Sequence, residues 1–133
     1  MTEGRIKILI IDDNEPFLAY IKAAFEDEFD LTIFQDGAEG SAWALENVPD
    51  ILLLDVNMPG LTGMEVVKKM QGRSETRRIP IVVISATAYN RGTESLFRRE
   101  KNVKGFLTKL APVSAIKEAI LNNVRDGKDD SND

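Results

Sequence analysis

The sequence predicts an α/β fold, a single doubly wound domain built on a parallel sheet with helices on both faces. Three observations carry this expectation. Short apolar runs alternate about five times with segments whose apolar residues recur every three or four positions, the pattern of strand followed by helix. The run Ile51-Leu52-Leu53-Leu54 is apolar at every position rather than every second one, as a strand covered on both faces requires. That run then stops at a carboxylate, Asp55, with Pro59 and Gly60 shortly after, so a core strand reaches the surface there.

The elements follow in order. Lys7 to Ile11 is the first strand, ending in Asp12-Asp13-Asn14-Glu15-Pro16. Asp or Asn caps a helix whose first turn tolerates Glu and Pro, and Phe17, Leu18, Ile21, Ala24 and Phe25 give that helix one buried face. Phe29 to Phe34 is a second strand, Asp36-Gly37 a turn, and Ala38, Ala42, Leu45 and Val48 the expected apolar stripe of a second helix. After the Ile51 strand, a third helix is expected over Gly63 to Met70, carrying Met64, Val66, Val67 and Met70, and Gly72 to Arg78 is polar and turn-like. Pro80 introduces a fourth strand, Ile81 to Ile84, ending in Ser85-Ala86-Thr87. Asn90 to Lys101 is expected to be a mostly polar helix anchored by Leu96 and Phe97. Val103 to Leu107 is the fifth strand, ending at Thr108-Lys109, and Pro112 precedes a last helix with Val113, Ile116, Ile120 and Val124 on its core face. One domain over residues 5–125 is expected, followed by a polar, disordered tail over 126–133. Right-handed crossovers make 2-1-3-4-5, the flavodoxin-like order, the simplest sheet.

Composition narrows the chemistry. At 133 residues the chain is long enough to bury a core without staples. It contains no cysteine and no histidine, which excludes disulfides, thiol nucleophiles, thiolate metal sites and histidine acid–base work on this chain. A net charge of −5 argues against broad nucleic-acid binding. The run Ile8 to Ile11 is too short for a signal-peptide core or a membrane span. A soluble, cytoplasmic protein is expected.

In the 2-1-3-4-5 order the carboxyl ends of the strands deliver Asp12 and Asp13, Asp55, Ser85 and Lys109 to one edge of the sheet, where open α/β sheets bind ligands. Carboxylates 4 Å apart repel by about 4 kcal/mol at an effective dielectric of 20. Either some take up protons or a cation sits among them. With only oxygen ligands at hand, Mg²⁺ is the natural cation. A carboxylate beside it can attack phosphorus to give an acyl phosphate, with Lys109 and the Ser85 hydroxyl placed to neutralise the phosphoryl oxygens. Plainer roles compete. Asp12 or Asp13 can be a helix cap, Asp55 a turn residue, Ser85 an ordinary strand end, Phe106 simple core and Lys109 a surface lysine.

The acidic pair Asp12-Asp13, Asp55 followed by Met58-Pro59 and Gly63, the ending Ile84-Ser85-Ala86, and Lys109 come in an order and at strand ends that resemble the receiver domain of two-component response regulators, over nearly all of Lys7 to Val124. The resemblance implies Asp55 as phosphoacceptor, Asp12 and Asp13 as a Mg²⁺-binding pair with the backbone carbonyl of Asn57 as a further ligand, Ser85 as a switching hydroxyl and Phe106 as the aromatic switch. It implies a phosphohistidine donor on a sensor histidine kinase or histidine phosphotransfer protein, and a receiver that assists its own phosphorylation and dephosphorylation without being an enzyme in the ordinary sense. Arg91, Arg98, Arg99 and Lys101 of the fourth helix, beside the fifth strand and last helix, lie on the face that the resemblance implies for output or dimerisation, although a charged helix is more often only a solvated face. One departure stands out: the family has proline, in a cis peptide, after this lysine, whereas Leu110 follows Lys109 here. A cis bond before a non-proline residue costs roughly 3 to 4 kcal/mol, so the loop either bears that strain or takes another path. The departure admits an alternative, a degenerate receiver that docks a partner without phosphorylation. A Mg²⁺-dependent phosphohydrolase is disfavoured, because Asp55-Val56-Asn57 lacks a second acid two residues on.

Overall fold

The computed structural model describes residues 4–56, 62–86 and 91–131, with side chains up to residue 124. Strands that are apolar at every position have no face to offer water, and each of them is covered twice. The sheet comprises β1 (Lys7–Ile11), β2 (Asp30–Phe34), β3 (Ile51–Asp55), β4 (Ile81–Ser85) and β5 (Val103–Thr108). Its order is β2-β1-β3-β4-β5 and every pairing is parallel. The connecting helices are α1 (Glu15–Phe25), α2 (Gly37–Asn47), α3 (Gly63–Gln71), α4 (Arg91–Arg98) and α5 (Val113–Ser131). This is the doubly wound sheet that the alternation of runs predicts.

Period-two alternation sorts the core. Leu9, Ile11, Leu52, Leu54, Ile81 and Val83 pack with residues of α2, α3 and α4, whereas Ile8, Ile10, Ile51, Leu53, Val82 and Ile84 pack with residues of α1 and α5. Burying one such side chain is worth about 1.5 to 3 kcal/mol, so the central strands anchor both layers at once. The helices start where their caps dictate. Asn14 accepts from the Phe17 amide at 2.9 Å, and Asp36 from that of Ala38 at 2.8 Å. Thr62 and Glu65 form a reciprocal capping box, the Glu65 carboxylate accepting from the Thr62 amide at 2.8 Å.

Three elements depart from the sequence expectation. In α2 the buried face is Gly37, Gly40, Ser41 and Ala44, while Ala38 and Ala42 are exposed and Val48 is the left-handed cap at φ 42°. The reason is close approach: a Cβ on Gly40 would lie 2.6 Å from Ile11 Cδ1, so this helix meets the sheet through its smallest residues. In α4, Phe97 is buried but Leu96 is 54% exposed, and the helix ends at Arg98 rather than Lys101. The connection that follows is held by side chains instead, because Gln71 Nε2 donates to Glu100 Oε1 at 3.0 Å and to Asn102 Oδ1 at 2.8 Å. Arg99 and Lys101 therefore leave the α4 face assigned to them. The backbone of α5 is helical to Ser131, past the boundary read at Arg125; the stretch holds no proline, so nothing in the chain forces a stop there. No helix among the described residues is long and apolar enough to cross a membrane.

Candidate functional site

Alternation continues past the ends of the strands and decides what points where. Asp12 follows Ile8 and Ile10 on the α1/α5 side, Asp55 follows Ile51 and Leu53, and Lys109 follows Leu107. Three separate segments thus aim charged side chains into one space. Carboxylate oxygens of Asp12, Asp13 and Asp55 all lie within 4.8 Å of one another. Asp12 and Asp55 are buried, at 2% and 4% exposure, and Asp13 is exposed.

Lys109 compensates the buried pair. Its Nζ lies 2.8 Å from Asp12 Oδ2, 3.0 Å from Asp12 Oδ1 and 3.8 Å from Asp55 Oδ2. The same ammonium stands 4.8 Å from the centroid of the Phe17 ring, whose π face adds to the attraction. Removing one member of such a buried set leaves the others uncompensated. Asp12 is fixed further by the Asn14 amide, which donates to its Oδ1 at 2.8 Å.

The Lys109–Leu110 junction takes the second of its two expected paths. No peptide bond among the described residues is cis. The Lys109 amide donates to the Ser85 carbonyl at 2.8 Å, that of Ala111 donates to Thr108 at 3.0 Å, and Leu110 is turned to solvent at 86% exposure. Without proline the loop still brings the ammonium to both buried acids.

Ser85 closes β4 one residue beyond Ile84, the register partner of Asp55. It is buried, and by alternation it lies on the α2/α3/α4 side, opposite to Asp12 and Asp55. Phe106 is buried on that side too, its ring 6.3 Å from that of Phe97. Asn57 lies outside the described residues, as do Met58, Pro59 and Thr87.

Three contributors went unassigned at the level of sequence. Phe17 read only as a core residue of α1, Asn14 only as a possible cap, and Gly63 only as a marker. A Cβ on Gly63 would lie 2.6 Å from the Asp55 carbonyl oxygen, and its amide donates to Val56 O at 3.2 Å. Glycine here lets α3 start directly against the end of β3. The Asn14 cap was legible from its type and place, but the Lys109–Phe17 contact joins residues far apart in the chain and has no local signal.

The donor set suits a hard divalent cation. It is three carboxylates in a chain without cysteine or histidine, the oxygen-only chemistry that Mg²⁺ takes. Comparison with known proteins agrees in kind. The response regulator receiver domain model matches residues 8–121. Response regulator PleD of Caulobacter vibrioides is 36% identical over 104 residues, 77% of this chain but 22% of PleD, so the chain spans about a fifth of that relative's length. The polar-differentiation response regulator DivK of Brucella anthropi is 28% identical over 120 residues, covering 90% of this chain and 96% of DivK. The crystal structure of a response regulator receiver domain protein from Clostridium thermocellum superposes with a TM-score of 0.80 at 23% identity, over 92% of this chain and 97% of that one, a likeness of fold. With the family model running from β1 into α5 and the acids gathered where those strands end, the chain belongs to the response regulator receiver domains of two-component systems, whose general function is to accept a phosphoryl group.

Proposed function

We propose that this chain accepts a phosphoryl group on Asp55 from a phosphohistidine of a sensor histidine kinase or histidine phosphotransfer protein, and signals by the conformational change that follows. The observation that carries the reading is the ammonium of Lys109 held between Asp12 and Asp55 while three carboxylates crowd within 4.8 Å. In the transfer, an Asp55 oxygen forms a bond to phosphorus as the N–P bond of the donor breaks. The imidazole leaves with that electron pair, neutral because its other ring nitrogen carries the proton. Asp12 and Asp13, with Asp55 and the Asn57 carbonyl, would hold Mg²⁺, which when bound neutralises the clustered negative charge. Lys109 pairs with phosphoryl oxygens once they arrive, exchanging one set of anionic partners for another. The Ser85 hydroxyl, which starts on the other side of the sheet from Asp55, turns round the end of β4 to donate to a phosphoryl oxygen and draws the strand end towards Asp55.

Phe106 has no hydroxyl, so it reports that movement by packing alone, and its contact with Phe97 links β5 to α4. The face of α4, β5 and α5 then meets the output partner. A degenerate, phosphorylation-independent module is supported less well, because the residue change after Lys109 does not carry the ammonium away from the acids. Incubation with acetyl phosphate and Mg²⁺ should add one phosphoryl group by intact mass, and Asp55→Asn should add none. Absence of any adduct with acetyl phosphate, phosphoramidate and phosphorylated kinases alike would refute the reading.

A further inference from the structure

Charge is unevenly shared along this chain. Residues 68–104 hold ten of the 17 Lys and Arg and three of the 22 Asp and Glu, a net of +7 in a chain of −5, which leaves −12 on the remainder. The fold gathers much of that excess at the amino-terminal edge of β4 and β5, the end of the sheet away from Asp55. There the turn after α3, bearing Arg77 and Arg78, and the connection after α4, bearing Arg99 and Lys101, wall a cleft of about 540 Å³.

The cleft has a fixed floor. Its one acid, Glu100, is paired with Lys68 at 2.9 Å and accepts from Gln71 at 3.0 Å. Those two contacts hold its carboxyl below the ordinary range and satisfy its charge. Gln71 also donates to Asn102, and Asn102, 3% exposed, donates to the Val67 carbonyl at 3.3 Å. Against this floor the lining presents the guanidinium groups of Arg77 and Arg99, the latter also attracted to Glu100, and the ammonium of Lys101, with no second acid among them. Like charges converging on a concave site repel, and an anion placed between them removes the repulsion.

We propose that this cleft is a binding site for a small, phosphate-rich anion, with Arg77, Arg99 and Lys101 as its principal charged contacts. The volume lies within the range of small-molecule sites, and guanidinium forks match phosphate oxygens in bidentate fashion. No aromatic ring is among the lining residues, so recognition rests on the phosphates and not on stacking of a base. A cleft of this volume is filled by a compact polyphosphate, whereas most of a long polyanion or an acidic protein face would lie outside it.

Titration calorimetry with tripolyphosphate tests this on the full chain carrying Asp55→Asn, in EDTA, so that neither the acyl-phosphate chemistry nor a metal complex contributes. Saturable one-to-one binding is expected, with amide resonances of residues 71–78 and 99–103 shifting while those of 12–14 stay in place. Arg77→Ala with Arg99→Ala should weaken binding about tenfold or more, the equivalent of about 1.4 kcal/mol. Arg5→Ala with Lys22→Ala, which removes the same charge elsewhere, should leave it unchanged. Both pairs alter exposed side chains, and circular dichroism confirms that the variants are folded. Unsaturable binding, equal losses in the two double variants, or tighter binding of a glutamate-rich peptide than of tripolyphosphate would each overturn the proposal.

Discussion

Lys109 settles a conflict among side chains that could not otherwise share one pocket. Two buried carboxylates face it, Phe17 lies beneath it, and it is 10% exposed. Loss of one partner from a buried charged set typically costs 3 to 5 kcal/mol, chiefly because the remaining charges stay unpaired. Lys109→Ala should therefore lower the unfolding free energy by about 3 kcal/mol in EDTA. Saturating Mg²⁺ should recover part of that loss, since a cation among the same acids replaces the missing ammonium. Urea melts with and without Mg²⁺ check both halves, and a variant whose deficit ignores Mg²⁺ would mean that the lysine and the metal do not share carboxylates.

Two glycines show how elements are brought within reach of that pocket, and they should respond differently to a methyl group. At Gly63 the Cβ would strike the Asp55 carbonyl oxygen at 2.6 Å and the Val56 carbonyl oxygen at 3.0 Å, backbone atoms that cannot turn aside. At Gly40 the nearest atoms are Cδ1 at 2.6 Å and Cγ1 at 2.7 Å of the buried Ile11 side chain, which has to shift within the core, whereas alanine favours the helix interior by about 0.5 to 1 kcal/mol. Gly63→Ala should destabilise by about 1 to 3 kcal/mol and slow phosphorylation by acetyl phosphate, while Gly40→Ala, where the clash falls on a side chain and the helix gains, should cost less. Urea midpoints rank them, and the reverse ranking would contradict the packing described. Glu100 ties α3 to the α4–β5 connection, and its hydrogen bonds to Lys68 and Gln71 lower its carboxyl from the ordinary 4.5. A depressed folded value gives stabilisation that is complete above 4.5 and is lost as pH falls through that lower value. Glu100→Gln should thus cost stability at neutral pH, with the gap to the parent narrowing as pH falls below 4.5 and through the lowered value, as urea midpoints across an acid pH series will show.

At the scale of the whole molecule, what could be read from the chain depended on whether the information was local. The five strands and the cap at Asn14 rest on runs and residue types confined to a few positions, the Asp36 cap was legible only as a turn, and the sheet order followed from connectivity. The face of α2 was misread because glycine carries no apolar signal even where it makes the closest contact, and Leu96 because its helix is too short for periodicity to choose between neighbours. Asp12, Asp55 and Lys109 were legible as strand ends; the Phe17 ring under the ammonium was not, since nothing near Phe17 names a partner at position 109. The converging acids also have a cost that belongs to the fold as a unit. Asp13 is exposed, so its repulsion of Asp12 and Asp55 at up to 4.8 Å is close to the aqueous limit, about 1 kcal/mol. A ligand that binds only the folded state adds about 1.4 kcal/mol to stability at ten times its dissociation constant. The parent chain should accordingly gain about that much from Mg²⁺ at such a concentration and lose it on addition of EDTA. Asp13→Ala should be more stable than the parent in EDTA, by about 1 kcal/mol, yet gain much less from Mg²⁺, so the two stability curves cross as the metal is raised. Curves that remain parallel at every Mg²⁺ concentration would show that Asp13 does not help to hold the ion, and curves that coincide would show that it does not repel its neighbours either.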